Sequence, residues 1–154
     1  EVAREPKSPI PNTYLAREYM TRGELDSAGA HVLIALNAAP DYWDANLSAG
    51  RLAYRLHQDS AAARLMERAH ALAPEEPDPL FFLATMRAAE GRLAVAVTLL
   101  SEAEAIDPAQ ARTRICRGWY LKQLGQSGEA DAELKRTLEL DPAVSLGNCL
   151  ATGP

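Results

Sequence analysis

Long apolar runs are missing from this sequence: the longest stretches, such as VLIAL at 32–36, fall far short of a membrane span, so no direct span is expected. The chain does not open with a charged, apolar and small-residue leader; it is expected to be soluble, in the cytoplasm or the periplasm. Positive charge is scarce overall. A formal net charge of −5 argues against the general phosphate-binding surface that nucleic acids require. Only two cysteines occur, Cys116 and Cys149; they fit neither a disulfide framework nor a C-x-x-C metal pattern, and they leave the redox compartment open. No G-x-S-x-G, H-E-x-x-H, phosphate loop or dinucleotide-binding glycine pattern is present. The three histidines, His31, His57 and His70, pair with no other ligand at helical spacing. These absences point to a protein that is not an enzyme and needs no cofactor or metal. Long windows are also poor in β-branched residues, and glycine and proline fall singly rather than in clusters, which excludes a sheet protein and favours punctuated helices.

What is present is a period. Pro40, Pro74, Pro108 and Pro142 each lie 34 residues apart and each follows a similar phrase, as in EAIDP and LELDP. A fixed interval of that size marks a stacked-repeat architecture. Four units result: 9–42, 43–76, 77–110 and 111–144, with a lead at 1–8 that Pro6, followed by Pro9 and Pro11, keeps extended, and a tail at 145–154 that is too rich in glycine, asparagine and proline for a helix. Column eight holds Ala16, Gly50, Ala84 and Gly118; column twenty holds Ala28, Ala62, Ala96 and Ala130; column twenty-seven holds Ala35, Ala69, Ala103 and Thr137. Two helices approach closely only where facing side chains are short, so columns eight and twenty mark a crossing within each unit. Column twenty-four (Val32, Met66, Leu100, Leu134) and column thirty (Ala38, Leu72, Ile106, Leu140) are expected to fill space between units. Gly23, Gly91 and Gly125 stand where the first helix of a unit ends in the left-handed region, and His57 takes that place in the second unit.

The pattern resembles the tetratricopeptide repeat over residues 9–144, carried by Leu15, Ala16, Tyr19, Gly23, Ala28, Val32, Ala35 and Pro40 in the first unit and by Leu83, Ala84, Gly91, Ala96, Leu100, Ala103 and Pro108 in the third. Arg114 and Arg117 depart from it, standing where an apolar residue is usual; an arginine stem can lie on apolar surface with its head in water. The resemblance implies an all-α, right-handed superhelical solenoid of antiparallel helix pairs. It implies a concave groove lined by the first helix of each pair, and a non-catalytic scaffold or adaptor that holds a peptide segment of a partner protein there. The groove residues it gives are Tyr14, Arg17, Arg51, Tyr54, Arg55, Phe82, Arg112, Trp119 and Lys122. Five groove positions are basic, with Asp44 and Asp78 the two acidic ones, so a peptide with carboxylates and apolar anchors is expected across units two to four.

The clamp for acidic chaperone tails known in the family is absent, since Thr13, Arg17, Ser48, Asp78 and Phe82 replace its residues. A regulatory or recruiting segment of a larger enzyme, or of a bacterial envelope secretion or assembly machine, is the alternative; the alanine-rich, arginine-over-lysine composition has a bacterial look. Leu146 and Leu150 are expected to cover Leu134 and Leu138 on the last helix. The other possibility is a second copy covering that face, giving a homodimer through the C-terminal end.

Overall fold

The structure, a computed structural model, describes residues 8–141 and Cys149, with only the backbone of residues 127, 129, 133 and 140. Among these residues there are eight helices and no strand: α1 Pro9–Arg22, α2 Leu25–Ala38, α3 Trp43–Arg55, α4 Asp59–Leu72, α5 Asp78–Ala89, α6 Leu93–Ile106, α7 Ala111–Gln123 and α8 Ser127–Leu140. Consecutive helices pair as hairpins. The chain divides between Pro74 and Glu75 into two compact units, α1–α4 and α5–α8.

The recurring proline explains where the second helix of each hairpin stops. Ala39, Ala73, Asp107 and Asp141 take extended angles, with φ between −131° and −148° and ψ between 76° and 92°. Each precedes a proline, whose ring disfavours the helical region for the residue before it. The first helix of each hairpin stops differently. Gly23, Gly91 and Gly125 adopt φ of 78° to 80° and His57 adopts 58°. Around Gly23 its own N–H bonds Met20 O at 3.0 Å and Glu24 N–H bonds Tyr19 O at 2.9 Å, the paired bonds that satisfy the last carbonyls of a helix. The same two bonds recur at His57, through Tyr54 O and Ala53 O.

The small columns are the buried seams. Ala16 and Ala84, then Ala28, Ala62, Ala96 and Ala130, then Ala35, Ala69 and Ala103, are all without solvent exposure. A Cβ added to Gly50 would stand 2.9 Å from Met66 Cγ and 3.2 Å from Ala62 O, and one added to Gly118 would stand 2.9 Å from Leu134 Cγ. In the first unit Ala16, Met20, Ala28, Val32, Ala49 and Leu52 form one core, with Tyr19, Leu25, Leu36 and Leu65 against it.

Two expectations need correction. Column thirty does not fill the interior: Ala38 and Leu72 are exposed and Ile106 is half-buried. The buried stripe of the second helix runs through columns twenty, twenty-four and twenty-seven, and at about 100° per residue column thirty falls on its flank. Nor is Arg117 solvated at its head, since its Nε pairs with Glu104 Oε2 at 2.8 Å between α7 and α6, with both side chains mostly covered. The expected cover of Leu134 by Leu146 and Leu150 lies outside the described residues, as do the conformations expected of the lead and the tail apart from Ser8 and Cys149; Leu138 is exposed.

Candidate peptide-binding faces

In the first unit, α1 and α3 lie side by side and bring five of the expected groove residues to them. Burial of Asn12, Thr13, Ala16 and Met20 orients α1, and this turns Ile10, Tyr14 and Arg17 to the other face at helical spacing. Ile10 is 65% exposed and Tyr14 59% exposed, a large apolar surface for two adjacent side chains. Arg17 Nη1 lies 3.1 and 3.2 Å from the two carboxylate oxygens of Asp44 on α3, which is itself nearly buried. Arg55 donates from Nη1 to Met20 O at 2.6 Å, placing its charge at the last turn of α1, the negative end of the helix dipole. Arg51 and Tyr54 are half-buried on α3.

The second unit holds the other four. Asp78 at the start of α5 pairs with Arg112 of α7 and accepts from Gln110 Nε2 at 3.1 Å. The Arg112 guanidinium also lies over Phe81, 4.5 Å from the ring centroid, and 5.7 Å from that of Phe82. Attraction of a cation to an aromatic face adds to the ion pair and fixes the arginine. Phe82 packs edge-on against Phe81 at 5.4 Å and both are buried, so Phe82 serves the packing of this unit more than its surface. Trp119 is half-buried, and Lys122 is exposed with Nζ 2.8 Å from Asp131 Oδ1 on α8.

The inward excess of positive charge that the sequence suggested is therefore largely met within each unit. Arg17, Arg112 and Lys122 have Asp44, Asp78 and Asp131 as counter-ions. Cys116 is fully buried and bonded to Cys149, so the two cysteines, whose spacing fitted no disulfide framework, are in fact paired. Sequence spacing carries no signal for that pair, because it depends on where the chain runs after α8. Among the described residues no cluster of three His, Cys, Asp or Glu could hold a metal. None of the helices there is long and apolar enough to cross a membrane.

Paired antiparallel helices with small residues at every crossing define a helical-repeat solenoid. The fold is that of the tetratricopeptide repeat, which protein-interaction scaffolds use. No family model and no curated relative matches the sequence. Among solved structures, the chain is similar to PilF of Pseudomonas aeruginosa, with 18% identity, a TM-score of 0.81, and coverage of 97% of this chain and 67% of that one. It is similar also to YrrB, described as a TPR protein with an unusual peptide-binding site, with 22% identity, a TM-score of 0.67, and coverage of 92% and 73%. A mutant O-GlcNAc transferase of Thermobaculum terrenum matches 73% of this chain over 22% of its own length, at 25% identity and a TM-score of 0.67.

Proposed function

We propose that the chain is a non-catalytic scaffold that captures an extended segment of a partner protein on the faces formed by the first helix of each hairpin. The observation that supports this most directly is the exposed Ile10–Tyr14 pair beside the Arg17–Asp44 ion pair on α1 and α3. Aromatic and arginine side chains supply large contact area and directional bonds, the features of binding hot spots. Apolar anchors in the partner lead, because a ligand carboxylate reaching Arg17 or Arg112 must exchange with Asp44 or Asp78. Acidic residues in the partner then tune orientation and rate. Trp119 and Lys122 give the α7 face the same kind of chemistry, and YrrB provides a precedent in this fold for peptide binding.

A peptide-library screen on the immobilised protein, followed by titration of the best sequence, tests this reading. Tyr14→Ala should weaken a ligand of the α1–α3 face by about 2 kcal/mol, and Trp119→Ala should weaken a ligand of the second unit's face by as much. Ligands that bind both variants as tightly as the parent would move the site to the other helix faces. A second reading, a recruiting segment within a larger enzyme, has one observation in its favour: in the O-GlcNAc transferase the matching part is about a fifth of the chain.

A further inference from the structure

The residue-149 position and α7 are joined more closely than packing alone requires. Cys116 and Tyr120 lie four residues apart on α7, so they share one face, and both are buried. Cys149 sits on that face: its sulfur is bonded to that of Cys116, with the two Cα atoms 5.0 Å apart, and its carbonyl accepts the Tyr120 hydroxyl at 2.9 Å. Only 3% of Cys149 and none of Cys116 is exposed. Two independent links, one covalent and one a buried hydrogen bond, thus hold residue 149 to a helix that lies 33 residues earlier in the sequence, with all of α8 enclosed in the loop.

We infer that the chain is built for an oxidising compartment, where the Cys116–Cys149 bond latches residue 149 over the α7 face. The bond forms by two exchanges with a small disulfide oxidant such as oxidised glutathione. One cysteine thiolate attacks the oxidant and releases the first glutathione thiolate, giving a mixed disulfide; the second cysteine thiolate then attacks the protein sulfur of that disulfide and releases the other. Two protein thiols lose two electrons and two protons, and one oxidant molecule becomes two thiols. Once closed, the sulfurs are covered, so an attacking thiolate reaches them only when residue 149 lifts away. Closing a long loop restrains the unfolded chain, and a glutathione-reducing compartment would oppose the bond and forfeit that restraint.

The test refolds the full chain with oxidised glutathione, adds iodoacetamide, and compares it with the dithiothreitol-reduced chain and with Cys116→Ala/Cys149→Ala. The oxidised chain should take up no iodoacetamide, and it should melt roughly 5 °C or more above both others. Reductant should lower the melting temperature of the parent and leave the double variant unchanged. The parent is also produced with and without an export leader in a bacterium and trapped by alkylation at lysis, with the exported form expected to be oxidised and the more resistant to protease. Thiols that stay alkylatable after refolding with oxidant, equal melting of oxidised and reduced chains, or equal protease resistance of the exported and retained forms would each overturn the inference.

Discussion

His57 shows how one residue keeps a repeat running without its usual glycine. At φ 58° its Cβ crowds the following carbonyl, a cost that Gly23, Gly91 and Gly125 avoid in the equivalent turns. His57→Gly is expected to stabilise the chain by roughly 0.5–1 kcal/mol in urea titration, the relief of strain being partly offset by the greater freedom of glycine when unfolded. The converse change isolates the backbone term. A Cβ at Gly23 would meet nothing within 4 Å, so Gly23→Ala should lose about 1 kcal/mol from conformation alone. A loss much above that would mean that the turn makes contacts which the substitution disturbs.

At the scale of the helix, the close approach within each hairpin sets what is tolerated. Ala62 and Ala96 have no exposure and stand at the crossings, so Ala62→Leu or Ala96→Leu should cost about 1–3 kcal/mol through overpacking. Gly50→Ala tests the same seam against an opposing preference. Alanine is the better helix former by about 1 kcal/mol, yet its Cβ would press on Met66 Cγ and Ala62 O, and a measured loss would show that the steric effect wins. Between α6 and α7, Glu104→Ala would remove the carboxylate that lies 2.8 Å from the largely covered Arg117 Nε. A loss of about 1 kcal/mol by denaturant midpoint is expected, larger than for an exposed pair such as Arg68–Asp41.

For the molecule as a whole, each hairpin buries its seam locally, and the chain separates into two compact units between Pro74 and Glu75. A solenoid's stability is approximately a sum of repeat and neighbour terms. Native-state hydrogen exchange on Ala62→Leu should therefore quicken mainly in α1–α4, and on Ala96→Leu mainly in α5–α8; uniform quickening in both would show a single cooperative unit. The sequence by itself determined the repeat, the small-residue seams, the turn glycines and the proline stops. All of these follow from helix geometry, which places the same column in the same surroundings every 34 residues. Groove residues were legible only as positions on a helix face. Their counter-ions were not: Arg17 and Asp44 are 27 residues apart, and Lys122 meets Asp131 across a hairpin, pairings set by neighbouring helices and rotamers rather than by period. Phe82 is buried edge-on against Phe81, near the Arg112 guanidinium that pairs with Asp78, contacts that its place in the period does not reveal. The Cys116–Cys149 bond was decided by tertiary structure alone, since it requires the chain beyond α8 to return to α7, and nothing in the spacing of two cysteines specifies that path.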